Sequence, residues 1–320
     1  MTFDLIVIGS GPGGYVAAIR ASQLGMKLAV VEKAELGGIC LNWGCIPTKS
    51  LLKSAQVFDY IKHAADYGIV VNGDVEADFA KVIERSRTVA DGMSKGIQFL
   101  LKKNKIEVIT GFGKALRAGL VEVSTAEGET KELLCKNIII ATGARSRELS
   151  NLKQDGKKII GYRQALTLAE KPASMVVVGS GAIGTELASF YNSMGTEVTL
   201  VEFMPQLVPN EDEEVSKALG RSLKKAGIKV MTKSSVESVD TSGLLCKVSV
   251  KTKKGEEIIE AEKVLSAVGI TPNTENLGLE KAGINTEKGY ILVDEFYQTN
   301  IPGIYAIGDV IPGIALAHVA

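Results

Sequence analysis

One glycine-rich segment occurs twice in the chain, at a spacing of 170 residues, and this repeat constrains the fold more than any other feature. Residues 6–14 are IVIGSGPGG and residues 176–184 are VVVGSGAIG. Each copy continues through a segment typical of a helix into a second apolar segment that ends in an acidic residue. The matching positions are Gly9, Gly11 and Gly14 with Gly179, Gly181 and Gly184, and Glu32 with Glu202.

The order of strand, glycine turn, helix and acidic strand end is the order that a dinucleotide-binding unit needs. The first glycine permits a tight turn, the second lets the backbone approach a pyrophosphate, and the third lets the helix pack on the strand. The helix N-terminus then faces the anion, and the carboxylate accepts hydrogen bonds from ribose hydroxyls. A single copy could be a glycine-rich turn without a ligand, whereas two complete copies predict two dinucleotide sites. We therefore expect an α/β fold with two Rossmann-like nucleotide-binding domains.

The residues after the two acidic positions bear on the choice of nucleotide. Neither Glu32 nor Glu202 is followed by a basic cluster that would hold a 2′-phosphate, and Glu202 precedes Phe203 and Met204. An unphosphorylated ribose is therefore expected at both sites. The pattern favours FAD and NAD over NADP.

The charge balance excludes several classes of partner. The chain has 37 Lys and Arg against 37 Asp and Glu, so its net charge is zero and neither nucleic acid nor a membrane surface is an expected partner. No apolar run reaches the roughly 18 residues of a membrane span. The N-terminal residues enter an apolar strand without a basic leader, so we expect a cytoplasmic protein.

Two of the four cysteines lie close together, Cys40 and Cys45 in the segment GGICLNWGCIPTK. The helical pattern downstream predicts that the pair sits at the start of a helix, where the macrodipole lowers a thiol pKa. Zinc binding is one alternative, but it needs about four ligands and the other cysteines and histidines lie at no ligand spacing, so no metal is expected. The other alternative is that Cys40 and Cys45 are simply buried as small hydrophobic residues. A redox-active disulfide is favoured, whereas Cys135 and Cys246 are expected in the core.

At these residues the sequence resembles the pyridine nucleotide–disulfide oxidoreductases. The segment GGICLNWGCIPTKSLL is most similar to the branch of that family that acts on lipoamide. Residues 139–143 (IIATG) and 304–309 (IYAIGD) are similar to the later flavin-binding segments of the family. Residues 264–269 (VLSAVG) are similar to the strand that returns the chain from the NAD domain to the FAD domain.

The resemblance implies NAD-dependent oxidation of protein-bound dihydrolipoamide, with Cys40 exchanging with substrate, Cys45 next to the flavin, and Lys49 beside the flavin and paired with Glu186. The implied FAD-binding residues are Gly9, Gly11, Gly14, Glu32, Lys33, Gly38, Lys49, Gly113, Ala141, Thr142, Gly143, Asp309, Ala315, Leu316, Ala317 and His318. The implied NAD-binding residues are Gly179, Gly181, Ile183, Gly184, Glu186, Glu202, Val236 and Gly269.

The resemblance also implies a domain order and a partner. Residues 1–146 and 273–320 would form the FAD-binding domain, and residues 147–272 an NAD-binding domain inserted in it. The expected partner is the lipoyl-bearing protein of a 2-oxoacid dehydrogenase complex. The family continues with a C-terminal interface domain that forms a homodimer and supplies a His-Glu base, and we expect this domain to be absent here. The 320-residue form is therefore expected to be monomeric and weakly active or inactive.

Three other functions remain open at this point. The glutathione and mercuric reductase branches have similar cysteine motifs but generally use NADP. A short two-domain reductase similar to low-molecular-weight thioredoxin reductase would match the length, although that group has its Cys-x-x-Cys in the NAD domain and residues 173–272 contain a single cysteine, Cys246. A non-catalytic flavin-binding module of a dehydrogenase complex is the third.

Overall fold

The structure, a computed structural model, describes residues 2–320 and divides into two compact units. The first unit contains the chain up to Asn42, Ala90–Arg145 and Ile270–Ala320. The second unit contains Trp43–Val89 and Ser146–Gly269. Each unit is built on a mainly parallel sheet with helices, which confirms the predicted α/β class.

The elements up to residue 146 alternate between strands and helices before a run of strands. In chain order they are β1 (Thr2–Ile8), α1 (Pro12–Gln23), β2 (Leu28–Glu32), α2 (Gly38–Asn42), α3 (Cys45–Lys62), α4 (Phe79–Lys103), β3 (Glu107–Thr110), β4 (Phe112–Arg117), β5 (Leu120–Ser124), β6 (Thr130–Ile140) and β7 (Ala144–Ser146).

The later elements repeat the alternation and add a small antiparallel sheet. In chain order they are β8 (Ile159–Ile160), α5 (Tyr162–Ala165), β9 (Ser174–Val178), α6 (Ala182–Ser193), β10 (Glu197–Val201), α7 (Glu213–Lys225), β11 (Lys229–Met231), β12 (Ser235–Asp240), β13 (Cys246–Thr252), β14 (Gly255–Ala261), β15 (Lys263–Ser266), β16 (Ile270–Pro272), α8 (Leu279–Ala282), β17 (Thr286–Glu287), β18 (Tyr290–Ile291) and β19 (Ile304–Ala306). Short 3₁₀ turns occupy Ala64–Tyr67 and Gly308–Val310.

The sheet of the first unit has the order β3-β2-β1-β6-β5-β4, and β19 also pairs with β6. Strands β1, β2, β3 and the end of β6 run parallel, as expected for strands joined by helical crossovers. Ile6 and Val7 at the centre of β1 are fully buried, which explains why this strand is a continuous apolar run rather than an alternating one. The glycine turn therefore starts from the carboxyl end of a rigid central strand.

The second unit has a parallel sheet of the order β11-β10-β9-β15-β8 and an antiparallel sheet of the order β12-β13-β14. Strand β9 lies between β10 and β15, and its valines Val176 and Val177 are buried. The antiparallel sheet contributes Val248 and Val250 to the same apolar core as β9. The second glycine turn follows β9 in the way that the first follows β1.

The compact units differ in one segment from the predicted domains, because residues 43–89 group with residues 146–269. The cause is packing, since Phe79 stacks on Phe190 with 6.0 Å between ring centroids and α3 packs along α6. The sequence places these residues far apart and gives no signal of the contact. The assignment of FAD to residues 1–146 and 273–320, and of NAD to residues 147–272, stays a prediction. No helix within residues 2–320 combines the length and the apolar character that crossing a lipid bilayer requires.

Candidate functional site

The first glycine turn joins β1 to α1 and is shaped by close backbone contacts. Gly9 adopts φ +102°, a conformation that residues with a Cβ rarely accept, and a Cβ there would lie 2.7 Å from the carbonyl carbon of Ala141. A Cβ on Gly14 would press into the carbonyl group of Gly9, 3.0 Å from its carbon. An added Cβ on Gly11 meets no heavy atom within 4 Å. Packing therefore requires Gly9 and Gly14, whereas Gly11 borders open space.

The second glycine turn, between β9 and α6, repeats this geometry. Gly179 adopts φ +97°, and a Cβ there would lie 2.8 Å from the carbonyl carbon of Ala267. A Cβ on Gly184 would meet the carbonyl carbon of Gly179 at 3.0 Å, and Gly181 again has nothing within 4 Å. The sequence repeat is thus a repeat of structure, with the same glycine required for the same contact.

Both turns end at a helix N-terminus that fits a phosphate. Helices α1 and α6 follow Gly11 and Gly181, and neither N-cap residue provides a side-chain hydrogen bond. The first N–H groups of a helix have no partner within the helix, and the helix dipole makes this end partly positive. Open space above a glycine, next to such N–H groups, suits a pyrophosphate. The residues of both turns therefore fit a dinucleotide such as FAD or NAD.

Glu32, at the end of β2, is tied to the first turn. Its Oε2 accepts hydrogen bonds from the Ser10 N–H at 2.8 Å and the Ser10 hydroxyl at 2.7 Å. Its Oε1 accepts from the N–H groups of Lys33 and Ala34 at 2.8 and 3.0 Å. These four donors fix the orientation of the Glu32 carboxylate at the end of the strand.

Glu202, at the end of β10, makes the equivalent contacts with one donor fewer. Its Oε2 accepts from the Ser180 N–H at 2.7 Å and the Ser180 hydroxyl at 2.6 Å, and its Oε1 from the Met204 N–H at 2.7 Å. Glu202 is buried, and three of the donors within residues 2–320 hold its carboxylate in place. The sequence predicts that both carboxylates bind ribose, but it does not identify Ser10 and Ser180 as their hydrogen-bond donors. The repeat of GSG in both copies was the signal that could have found them.

Further FAD-predicted positions surround the first turn. A Cβ on Gly38, which has φ +62°, would lie 2.6 Å from the Cα of Gly11, so residue 38 must be a glycine for the chain to pass this close. A Cβ on Gly113 would lie 3.0 Å from the Cγ2 of Ile8, at the end of β1. The ammonium of Lys33 lies 5.5 Å from the centroid of an aromatic ring, that of Phe112.

The segment after β6, Ala141 to Gly143, closes on the same turn. The Ala141 N–H donates to the Ile8 carbonyl at 2.8 Å. The Thr142 hydroxyl donates to the Asn273 carbonyl at 2.7 Å, and the Asn273 side chain donates back to the Thr142 carbonyl at 3.0 Å. Ala141 therefore contacts the start of the first glycine turn, and Thr142 is hydrogen-bonded to Asn273.

Asp309 lies in a 3₁₀ turn just after β19, and burial raises the pKa of its carboxyl group. The final residue of the chain also lies near the first turn, because a Cβ on Gly13 would lie 3.0 Å from the carbonyl carbon of Ala320. Within the predicted segment 315–318, Ala315, Leu316 and His318 are exposed.

The predicted NAD-binding residues of the second unit occupy several elements. Ile183 lies in the first turn of α6 and is partly exposed. Val236 is buried in β12, and its carbonyl accepts a hydrogen bond from the Asn151 side chain at 2.7 Å. Gly269 adopts φ +107°, and its carbonyl accepts from the Arg147 N–H at 2.9 Å. Their contact with NAD stays a prediction.

Cys40 and Cys45 are both disulfide-bonded, whereas Cys135 and Cys246 are buried free thiols. Burial raises the pKa of the Cys135 thiol to about 11, so it is inert at neutral pH. Placing the pair together at the start of one helix was wrong in one respect. Cys45 is the first residue of α3, but Cys40 lies in the separate short helix α2. The helical backbone is interrupted at Gly44, where φ is −141° and ψ is −112°.

Lys49 lies one turn after Cys45 in α3. Its ammonium donates a hydrogen bond to the Oε1 of Glu186 at 2.6 Å, and Glu186 lies in α6 two residues after Gly184. The predicted ion pair is therefore present, although Lys49 is 62% exposed. It connects the cysteine helix to the helix of the second glycine turn.

Two glycine turns that fit dinucleotides, together with an oxidised cysteine pair, define a flavoprotein disulfide oxidoreductase. The comparison with known families gives the same result. The model of the pyridine nucleotide-disulphide oxidoreductases matches residues 3–320, and the chain belongs to that family.

Named relatives are similar over the whole chain. The chain is 46% identical to a dihydrolipoyl dehydrogenase of Rhizobium etli and 48% identical to one of Zymomonas mobilis, covering 69% and 68% of their lengths. A mitochondrial dihydrolipoyl dehydrogenase of Pisum sativum is 46% identical, with 64% of its length covered. In each case the match includes 99% or more of this chain, which therefore spans about two thirds of these relatives.

Solved structures show the same fold. LpdA from Mycobacterium tuberculosis superposes with a TM-score of 0.89 at 30% identity, with 99% of this chain and 70% of that one covered. The HOCl-induced flavoprotein disulfide reductase RclA from Escherichia coli, in its Cu(II) complex, gives a TM-score of 0.86 at 26% identity, with 100% and 68% covered. The chain is thus an NAD-dependent oxidoreductase of a family that uses FAD and NAD, as predicted.

Proposed function

We propose that the protein oxidises dihydrolipoyl groups to lipoyl groups with NAD as the acceptor. The observation that carries this proposal is the oxidised state of Cys40 and Cys45, with Cys45 at the N-terminus of α3 and next to a Lys49–Glu186 pair. The names of the relatives from R. etli, Z. mobilis and P. sativum support the lipoyl substrate.

The cysteine chemistry follows the rules of thiol–disulfide exchange. A substrate thiolate attacks the Sγ of Cys40, the Cys40–Cys45 bond breaks, and Cys45 leaves as a thiolate. The second substrate thiol then attacks the substrate sulfur of the mixed disulfide, which closes the lipoyl ring and leaves Cys40 reduced. The substrate loses two electrons and two protons, and the cysteine pair gains the two electrons. FAD, when bound, would supply the acceptor for this electron pair, and NAD would be the final acceptor.

The helix geometry explains why Cys45 is the proposed leaving group. The partly positive N-terminus of an 18-residue helix stabilises a thiolate at its first residue. A lower thiol pKa makes a sulfur a faster leaving group in exchange. Cys40 lies in the five-residue helix α2, which provides a weaker dipole, and is therefore the proposed sulfur for substrate attack.

The predicted cofactor sites are part of the proposal. FAD would be held by the residues that the family resemblance implies, namely Gly9, Gly11, Gly14, Glu32, Lys33, Gly38, Lys49, Gly113, Ala141, Thr142, Gly143, Asp309, Ala315, Leu316, Ala317 and His318. NAD would be held by Gly179, Gly181, Ile183, Gly184, Glu186, Glu202, Val236 and Gly269. The buried carboxylate of Glu202 would disfavour the 2′-phosphate of NADP by charge repulsion.

The proposed partner is the lipoyl-bearing protein of a 2-oxoacid dehydrogenase complex. We expect turnover by the 320-residue chain to be slow, because exchange begins with a substrate thiolate and needs a base. The two histidines in the sequence are poorly placed to act as this base. The Nδ1 of His63 contacts the Asp59 carbonyl at 2.9 Å at the far end of α3, and His318 is exposed.

The test is a single-turnover reaction that separates exchange from overall activity. The FAD-reconstituted chain is mixed anaerobically with excess dihydrolipoamide, and flavin absorbance is followed. The proposal predicts flavin reduction by dihydrolipoamide, none by glutathione, loss of the reaction in Cys40→Ser, and an unaffected reaction in the matched control Cys246→Ser, which removes a buried free thiol. Failure of dihydrolipoamide to reduce the flavin would contradict the proposed substrate. Reduction by glutathione would favour the glutathione-type alternative.

A further inference from the structure

Trp43, the single tryptophan of the chain, lies between the two cysteines in sequence and under two arginines in the structure. The guanidinium carbon of Arg87 is 4.6 Å from the centroid of its ring, and that of Arg163 is 4.9 Å away. Arg87 belongs to α4 and Arg163 to α5, so three separate segments of the second unit meet at this ring. We call Trp43, Arg87 and Arg163 the Arg–Trp cluster.

Packing alone is a poor reason for the Arg–Trp cluster. Two positive charges over one ring repel each other, and a cation–π contact at a partly exposed site is weak. The indole Nε1 of Trp43 is buried with no hydrogen-bond partner within residues 2–320, which lowers stability. Local features that cost stability are typical of functional positions.

The location of the cluster suggests what it affects. Trp43 precedes Cys45, the first residue of α3, by two positions, so the cluster lies at the positive end of that helix. Other charged groups contact the beginning of α3. Lys49 is paired with Glu186 of α6, and Arg85 of α4 donates to the Ser50 hydroxyl at 2.8 Å. Arg87, Arg163, Lys49 and Arg85 are thus cations near the first turns of α3, and a cation near a sulfur favours its negative charge.

We propose that Arg87 and Arg163, held in place by the Trp43 ring, are positioning residues that stabilise the thiolate of Cys45 in the reduced pair. This inference rests on the proposed function, because a stabilised thiolate is what makes Cys45 the leaving group in exchange. The indole ring holds the two charges at a set distance from the helix start. The two charges thereby act on the sulfur through space rather than by contact with substrate.

The experiment measures the thiol pKa of Cys45 without substrate or cofactor. The Cys40→Ser protein leaves Cys45 as a free thiol, and its rate of alkylation by iodoacetamide is measured as a function of pH. In this background we expect Arg163→Gln and Arg87→Gln each to raise the apparent pKa by on the order of half a unit. Arg163→Lys keeps the charge and should show less than half of that shift. The matched control Arg221→Gln removes an arginine of α7 and should show none.

Ionic strength separates a charge effect from a packing effect. The pKa differences between the arginine variants and the parent protein should shrink at about 1 M salt, where the Debye length is roughly 3 Å. Trp43→Leu should raise the pKa as the arginine variants do, whereas Trp43→Phe, which keeps an aromatic ring, should restore most of the original value. Circular dichroism spectra confirm that each variant is folded before its titration.

The outcomes separate this inference from the proposed function. An unchanged pKa in both Arg87→Gln and Arg163→Gln would overturn the inference, even if dihydrolipoamide reduces the flavin normally. A shift that persists at high salt and in Arg163→Lys would also overturn it, because it would show a packing effect. Failure of dihydrolipoamide to reduce the flavin, together with the predicted pKa shifts, would overturn the proposed substrate and leave the electrostatic role in place.

Discussion

Gly181 and Gly184 lie three residues apart in the second glycine turn, yet alanine is expected to affect different properties at the two positions. It should lower NAD affinity at position 181 and stability at position 184. A Cβ on Gly184 would lie 3.0 Å from the carbonyl carbon of Gly179 and 3.2 Å from the Cβ of Ala267, and closer still to the Gly179 carbonyl oxygen. A Cβ on Gly181 would meet nothing within 4 Å. The first substitution therefore disturbs packing, and the second fills the space proposed for the NAD pyrophosphate.

The magnitudes follow from these contacts. Overpacking of a core typically costs about 1–3 kcal/mol, and Gly184→Ala belongs at the upper end because two of its contacts are to backbone atoms that cannot rotate away. A loss of about 3 kcal/mol lowers Tm by roughly 6–12 °C for a domain of this size. Gly181→Ala introduces no clash, so its Tm should change by less than about 2 °C. Its affinity for NAD should fall by about tenfold or more, which corresponds to roughly 1.4 kcal/mol.

The assay combines thermal unfolding followed by circular dichroism with isothermal titration of NAD. Gly220→Ala is the matched control, since a Cβ on this glycine of α7 would lie 3.6 Å from Leu207, at ordinary contact distance. It should leave NAD affinity nearly unchanged and raise Tm by roughly 1–4 °C, because alanine is favoured over glycine in a helix interior by about 0.5–1 kcal/mol. Unaltered NAD affinity in Gly181→Ala would refute the assignment of this turn to the nucleotide. A Tm of Gly184→Ala equal to that of the parent protein would refute the packing argument.

Further predictions concern the thiols, the nucleotide and the ion pair. Titration with a thiol reagent at pH about 8 should find no fast-reacting thiol before reduction and two after it, because burial holds the Cys135 pKa near 11 and also raises that of Cys246. Alkylation of Cys135 should accelerate only as the pH approaches 11, and an early third thiol would contradict its burial. Glu202→Gln should reduce the preference for NAD over NADP by about tenfold in a binding titration, since it removes the negative charge; an unchanged ratio would exclude that role. Lys49→Met and Glu186→Gln should each change stability by less than about 1 kcal/mol, as for other exposed pairs, yet slow flavin reduction in stopped-flow measurements; equal rates would remove both from the proposed site.

The glycine turns could be predicted from the sequence because the required chemistry is local. A strand, a turn with glycines at fixed offsets and a helix occupy consecutive residues, so Gly9, Gly14, Gly179 and Gly184 are found by their spacing alone. The left-handed φ angles and the blocked Cβ directions at these positions are the physical reason for that spacing. Parallel pairing of the strands then follows from the helical crossovers.

Features that depend on distant residues could not be predicted in this way. Residues 43–89 group with residues 146–269 through contacts such as Phe79 with Phe190, which are 111 positions apart in sequence. The two arginines over Trp43 come from other segments, and their convergence depends on the packing of whole helices. The separation of Cys40 from the start of α3 depends on the backbone angles of Gly44. Because glycine accepts many backbone conformations, its presence in the sequence does not show which of them it adopts.

The central claim is that a redox-active cysteine pair and a flavin exchange electrons within this chain. It is tested most directly by an anaerobic reductive titration of the FAD-reconstituted protein with dithionite, followed by absorbance. We expect uptake of four electrons per flavin, two by the disulfide and two by the flavin, and uptake of two in the Cys45→Ser variant. Uptake of two electrons by the unmodified chain, equal to that of the variant, would contradict it.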